Sequence, residues 1–128
     1  MRLLLDTHAL LWWAAGDSKL SRRARAAIGD VSNTVLISAA AGWEIATKHR
    51  VGKLDGAGPL LDGLLDYLAD QEFVELAIGI RHAQRAGALP DVHRDPFDRI
   101  LVAQAQVENL VLVTDESLFD RYGVRRLW

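Results

Sequence analysis

Residues 110–115, Leu-Val-Leu-Val-Thr-Asp, form the stretch that decides the fold of this chain. A continuous apolar run of this kind predicts a strand buried on both faces, and the aspartate marks its end. Residues 3–6, Leu-Leu-Leu-Asp, repeat the pattern near the start of the chain. The apolar runs at 34–38, 73–77 and 124–127 predict three further strands.

Helical patterns occupy the segments between these strands. They are predicted at 7–16, from candidate caps at 18–21 to about residue 29, at 39–50, from Pro59 to about residue 68, at 79–86, at 95–109 and at 116–122. Strands that alternate with helices predict a parallel sheet covered on both faces. The fold class is therefore α/β, a three-layer α/β/α sandwich with a central, mainly parallel sheet of about five strands.

Length and composition limit the other possibilities. A chain of 128 residues predicts a single domain over residues 1–128. The absence of cysteine excludes disulfides, thiolate zinc sites and cysteine nucleophiles. The apolar stretches are too short to span a bilayer, and the first residues do not resemble a secretory signal. We therefore expect a cytoplasmic protein without a membrane partner.

Two aspartates follow apolar strands and are expected at the same sheet edge. Asp6 ends the first strand, and Asp115 ends the fourth. Each could be a helix N-cap, which is a common role for aspartate. Parallel sheets, however, gather functional groups at the carboxyl ends of their strands. Both interpretations stay open for these two residues.

Two further carboxylates lie early in helices that are expected to be buried. Pro96 suits the first helical position, which makes Asp95 the N-cap and places Asp98 in the first turn. Glu44 lies between Trp43 and an isoleucine. It could form an i,i+4 ion pair with Lys48 or serve in a site.

Four carboxylates in one crevice require a cation or raised pKa values to coexist. With no cysteine and no paired histidines, the available ligands are hard oxygens, which suit Mg²⁺ or Mn²⁺. Such ions activate water and stabilise charge on phosphoryl oxygens. The expected chemistry is metal-assisted hydrolysis of phosphodiester bonds.

Five short strings, which occur in a characteristic order, carry a family resemblance. They are LDTHALLW at 5–12, SAAAGWEI at 38–45, DPFDR at 95–99, AQA at 103–105 and VTD at 113–115. Together they resemble the PIN-domain ribonucleases, and more narrowly the VapC-type toxins of bacterial toxin–antitoxin pairs. The resemblance extends from about residue 3 to residue 124.

The resemblance implies a set of roles for individual residues. Asp6, Glu44, Asp98 and Asp115 match the family's catalytic, metal-binding carboxylates. Thr114 matches the small hydroxyl residue beside the last of them, and Asp95 is a candidate for an outer-shell role. The resemblance also implies Mg²⁺ or Mn²⁺ as cofactor, RNA as substrate, a homodimer, and a cognate antitoxin protein that silences the toxin.

Basic and apolar residues supply weaker candidates for contacts. Arg94, Arg99 and the pair at 125–126 are candidates for phosphate contacts, although Arg99 could instead pair with Asp95. His93 is a candidate for RNA contact, and the other histidines have no predicted role. Trp12, Trp13 and the leucines from 60 to 68 are predicted to be core, and part of that surface could receive an antitoxin.

Two other functions compete with the nuclease interpretation. Aspartyl-phosphate chemistry of the haloacid-dehalogenase type needs a second aspartate two residues after Asp6, where this chain has His8. A non-catalytic RNA- or partner-binding module with a PIN fold remains the alternative.

Overall fold

The computed structural model describes residues 1–54, 57–90 and 94–128. The strands are β1 (Arg2–Leu5), β2 (Thr34–Ser38), β3 (Val74–Leu76), β4 (Val111–Val113) and β5 (Arg126–Leu127). The helices are α1 (Thr7–Ala15), α2 (Arg22–Gly29), α3 (Ala39–Arg50), α4 (Gly58–Asp70), α5 (Ile80–Ala88), α6 (Pro96–Glu108) and a 3₁₀ helix, Ser117–Tyr122. Within the described ranges, no helix is both long enough and apolar enough to cross a membrane.

The five strands form one sheet in the order β3-β2-β1-β4-β5, and every neighbouring pair is parallel. Successive side chains of a strand point to opposite faces, so each buried strand supplies two cores. Leu3 and Leu5 of β1 pack in the core that α1 to α4 cover. Leu4 packs in the other core, against α6 and the 3₁₀ helix. The predicted three-layer α/β/α fold with a parallel sheet is confirmed.

The strand order creates a crevice at one edge of the sheet. From β1 the chain moves outward through β2 to β3, and it then returns to place β4 on the other side of β1. The amide of Asp6 donates to the carbonyl oxygen of Val113 at 3.1 Å and holds the ends of β1 and β4 together. The helices that follow these two strands pack on opposite faces of the sheet, which opens a crevice where parallel α/β proteins bind ligands.

Three strands are shorter than predicted, and in two of them the first predicted residue bonds to the preceding helix. The amide of Leu110 donates to Ala105 at the end of α6, and the amide of Phe73 donates to Leu68 at the end of α4. Both residues therefore close helices instead of extending strands. In the short strand β5, Arg126 lies opposite Leu112 of β4 and Leu127 lies opposite Val113.

Side-chain caps begin several helices where the sequence predicts them. Ser21 accepts a hydrogen bond from the amide of Ala24, and Asp95 accepts one from the amide of Phe97. Each cap satisfies a backbone donor that the first helical turn leaves without a partner. The caps therefore determine where α2 and α6 begin.

Candidate active site

A cleft of about 270 Å³ opens at the carboxyl ends of β1 and β4. Its lining consists of Asp6, Thr7, His8, Trp12, Glu44, Lys48, Asp95, Asp98, Asp115, Glu116 and Phe119. The four carboxylates that the sequence predicts as site residues are all among them. They come from α3, α6 and the ends of β1 and β4, so the tertiary fold brings them together.

Asp6 is buried at the carboxyl end of β1, with 7% of its surface exposed. Its Oδ1 accepts a hydrogen bond from the amide of Ala9 at 2.7 Å, which confirms the N-cap interpretation. Burial raises the pKa of Asp6, although hydrogen bonds from Thr114 and Ala9 and the charge of His8 oppose the rise. The charge of Asp115 adds to it. One carboxylate therefore begins α1 and also lines the cleft.

Glu44 reaches the cleft from the buried side of α3. The hydroxyl of Thr7 donates to its Oε1 at 2.5 Å, and the ammonium of Lys48 donates to its Oε2 at 2.5 Å. The predicted i,i+4 pair is thus present, and it does not turn Glu44 away from the site. Burial alone would lower the pKa of Lys48, but the hydrogen bond and charge of Glu44 raise it above its ordinary value.

Asp98 lies in the first turn of α6, one turn beyond the cap formed by Asp95. Burial and the neighbouring charges of Asp95, Glu44 and Asp6 raise the pKa of Asp98 to about 7. The positive charge of Lys48 opposes this rise. The cleft thus holds more negative charge than its own residues neutralise.

Asp115 does not cap the helix that follows it, so the N-cap interpretation of this residue is wrong. Glu116 takes that position, and its Oε1 accepts from the amide of Leu118 at 3.4 Å. The hydroxyl of Thr114 accepts from the amide of Glu116 at 3.1 Å. Asp115 is left exposed at the cleft.

The structure also places Thr7, His8 and Glu116 in the cleft, and their sequence pattern did not predict a site position for them. Thr7 and His8 directly follow Asp6, and Glu116 directly follows Asp115. Adjacency to a strand-end aspartate was therefore the available signal. Exposed His8 lies beside Trp12, with ring centroids 5.5 Å apart.

The basic residues lie mainly outside the cleft. The guanidinium of Arg99 donates to the carbonyl oxygens of Ala86, Leu89 and Pro90 and stabilises the end of α5. Arg126 pairs with an aspartate of the 3₁₀ helix at 2.9 Å. Exposed Arg94 stays a candidate for a phosphate contact. His93 lies outside the described residues.

Comparison with known protein families identifies the family of this chain. The model of the PIN domain family matches residues 3–124, nearly the whole chain. The chain belongs to the PIN domain family. A search of curated proteins finds no match to this PIN domain.

Solved structures share the fold of this PIN domain at low sequence identity. VapBC2 from Rickettsia felis, bound to a DNA fragment from its promoter, is 18% identical with a TM-score of 0.71, and the match covers 98% of this chain and 97% of that one. VapBC-1 from nontypeable Haemophilus influenzae is 14% identical with a TM-score of 0.68 and coverages of 98% and 96%. A toxin–antitoxin complex from Klebsiella pneumoniae is 23% identical with a TM-score of 0.56 and coverages of 90% and 87%.

The cleft's donors suit a hard divalent cation. Among the residues that the structure describes, no three acidic or histidine side chains converge closely enough to enclose a metal ion. Mg²⁺ does not need such a cage, because proteins bind it through one or two carboxylates and leave several waters in place. A donor set dominated by carboxylate oxygens, with excess negative charge, therefore fits Mg²⁺ or Mn²⁺.

Proposed function

We propose that this PIN domain is a Mg²⁺-dependent endoribonuclease and the toxin of a type II toxin–antitoxin pair. One observation carries the proposal. Four carboxylates converge on the cleft between the carboxyl ends of β1 and β4, namely Asp6, Glu44, Asp98 and Asp115. Membership of the PIN domain family and the likeness to VapBC structures support it.

The four carboxylates would have different roles toward the cation. Asp6 and Asp98 would be its chief ligands, and Glu44 and Asp115 would complete the shell through its waters or orient the attacking water. When bound, Mg²⁺, or Mn²⁺ in its place, supplies a Lewis acid for the phosphodiester and for that water.

The neighbouring hydrogen bonds keep the carboxylates in position for this role. Thr114 and the amide of Ala9 hold Asp6, while Thr7 holds Glu44. Asp95 caps α6 and thereby positions Asp98. A carboxylate held in this way needs no reorganisation before it binds a cation or orients a water.

RNA is the proposed substrate, and exposed arginines outside the cleft are its proposed phosphate contacts. Arg94 and Arg125 are exposed. Each phosphate contact releases counter-ions, so RNA affinity should fall as salt concentration rises. An Arg94→Gln variant should show a shallower salt dependence than the wild-type chain, and an unchanged slope would remove Arg94 from the interface.

An antitoxin protein is the proposed partner, and a second groove beside the cleft is its proposed seat. This groove of about 460 Å³ is lined in part by Leu11, Leu60 and Tyr67, and it shares His8 and Trp12 with the cleft. A segment bound there would extend to the carboxylates and block the substrate. The resemblance of the fold to toxin–antitoxin complexes supports this assignment.

The homodimer is a further part of the proposal. Val74, Ile78 and Ile80 expose apolar side chains on the edge strand β3 and at the start of α5, which suits contact with a second copy. Sedimentation should give a dimer for the wild-type chain and a monomer for Ile80→Asp. A monomeric wild-type protein would contradict this part alone.

The deciding experiment is cleavage of a mixed pool of structured RNAs with Mg²⁺, with Mn²⁺ and with EDTA. Asp6→Asn serves as the matched control, because asparagine can still cap α1 while it removes the charge. We expect cleavage by the wild-type protein with either cation, no cleavage in EDTA, and no cleavage by a folded Asp6→Asn protein. Cleavage by that variant at the wild-type rate would refute the site assignment.

Growth of the expression host supplies a second test of the proposal. Expression of the wild-type chain in bacterial cytoplasm, the proposed location, should arrest growth, and expression of Asp6→Asn should not. Equal arrest by both would favour the alternative, a non-catalytic module that acts by binding RNA or a partner.

A further inference from the structure

The acidic cleft contains one lysine, Lys48, and its position differs from that of its neighbours in sequence. Lys48, His49 and Arg50 form the basic last turn of α3. His49 and Arg50 are exposed, whereas the side chain of Lys48 is only 29% exposed and lines the cleft. Among the described residues that line the cleft, Lys48 is the only lysine or arginine.

The ammonium of Lys48 lies among the negative charges of the cleft. Its Nζ contacts Oε2 of Glu44, while Thr7 holds the other oxygen of the same carboxylate. The charges of Asp95 and Asp98 also act on it. A cation that approaches Glu44 therefore meets an oxygen that another cation already occupies.

Coulomb's law predicts that the charge of Lys48 weakens binding of a divalent ion at Glu44. Like charges a few ångströms apart repel strongly in a partly buried site, where water screens them poorly. A divalent ion that binds Glu44 must displace the ammonium from Oε2 or bind beside it, and either process weakens binding. Removal of the lysine charge should therefore tighten binding of the ion.

We propose that Lys48 is an internal counter-ion that competes with the divalent cation for Glu44 and so sets the cation concentration at which the site loads. The proposal rests on the proposed function for the presence of a cation, but it concerns loading and not cleavage. Lys48 thus acts as a positioning residue. While it occupies Oε2, it keeps the Glu44 carboxylate paired inside the cleft.

Titration calorimetry with Mn²⁺ tests the proposal directly. We expect Lys48→Gln to bind Mn²⁺ at least about fivefold more tightly than the wild-type protein at low salt. Lys48→Arg keeps the charge and should stay within about twofold of the wild-type affinity. Lys53→Gln removes the same charge from an exposed position just beyond α3, and it should also stay within about twofold.

Thermal unfolding provides a second readout that does not depend on RNA. In EDTA, Lys48→Gln should unfold at a lower temperature than wild type, because Glu44 loses its partner. Mn²⁺ should then raise the unfolding temperature of Lys48→Gln more than that of the wild-type protein. Lys48→Met, which retains most of the apolar stem, replaces Lys48→Gln if the glutamine variant does not fold.

The outcomes separate this inference from the nuclease proposal. Equal or weaker Mn²⁺ binding by Lys48→Gln overturns the counter-ion role, even if the wild-type protein cleaves RNA. Tighter binding by Lys48→Gln but not by Lys53→Gln supports it, even if no RNA is cleaved. Failure of both the wild-type and the variant proteins to bind Mn²⁺ overturns both proposals.

Discussion

Replacement of Asp98 by asparagine tests how strongly the negative charge in the cleft destabilises the folded chain when no metal is bound. The pKa of Asp98 rises from 3.8 to about 7 in the folded chain. At about 1.4 kcal/mol for each pH unit, ionised Asp98 disfavours the folded state by about 4 kcal/mol. The cleft is open to water on one side. Solvent screening therefore reduces this free energy to about 2 kcal/mol.

The substitution also loses one favourable interaction of the charge. Asp98 lies in the first turn of α6, where a negative charge gains about 0.5 kcal/mol from the helix dipole. The net expected gain is therefore about 1.5 kcal/mol in the free energy of unfolding at pH 8 without metal. For a chain of 128 residues this corresponds to an unfolding temperature about 5 °C higher.

The dependence on pH follows from the direction of the shift. Because the folded-state pKa of Asp98 is raised above its unfolded value, ionisation favours the unfolded chain. The penalty is absent below about pH 4, grows as the pH rises, and is complete above about pH 7. The advantage of Asp98→Asn over wild type should therefore fall to less than half between pH 8 and pH 5.

Thermal unfolding followed by circular dichroism in EDTA at pH 8 and pH 5 is the assay. Asp62→Asn on α4 is the control, since Asp62 is exposed and is not among the residues that line the cleft. If Asp98→Asn unfolds at the same temperature as Asp62→Asn at pH 8, the reasoning is refuted. An equal advantage at both pH values would also refute it.

Four other changes test the fold and the binding of the cation at the site. Leu112→Ala removes a fully buried side chain of β4 and should cost about 3 kcal/mol in urea unfolding; a cost below about 1 kcal/mol would contradict the core assignment. Gly16 has a φ of +63° at the end of α1, so Gly16→Ala should lower the free energy of unfolding by about 1 kcal/mol. Glu72 has a φ of +58°, so Glu72→Gly should raise it by about 0.5 kcal/mol. Changes of the same sign in both variants would contradict the backbone argument. Mn²⁺ at about a hundred times its Kd should stabilise the wild-type protein by about 2.7 kcal/mol, and this gain should vanish in Asp6→Asn if Asp6 is a chief ligand.

Local signals in the sequence were sufficient for most of the fold. Apolar runs identified the five strands, and Ser21, Pro96 and Gly16 marked the ends of helices. These signals are local because caps, turns and buried strands depend on residues close together in the chain. Strand ends were less predictable, since Phe73 and Leu110 bond to helices instead of to neighbouring strands.

The candidate site was only partly predictable for the same reason. The sequence identified Asp6, Glu44, Asp98 and Asp115 because each lies at a strand end or early in a helix. It allowed an N-cap role for Asp115, which Glu116 fills instead, since two adjacent acidic residues carry the same local signal.

By itself, the sequence determined the strand and helix pattern, the oxygen-only chemistry of the possible ligands and the PIN resemblance. Only the tertiary structure decided that β4 returns beside β1 and that Thr7 and Lys48 share the carboxylate of Glu44. It also decided that Arg99 donates to the backbone at the end of α5. These contacts form only when the layers pack against each other. Packing depends on the whole chain, and a local sequence pattern does not contain that information.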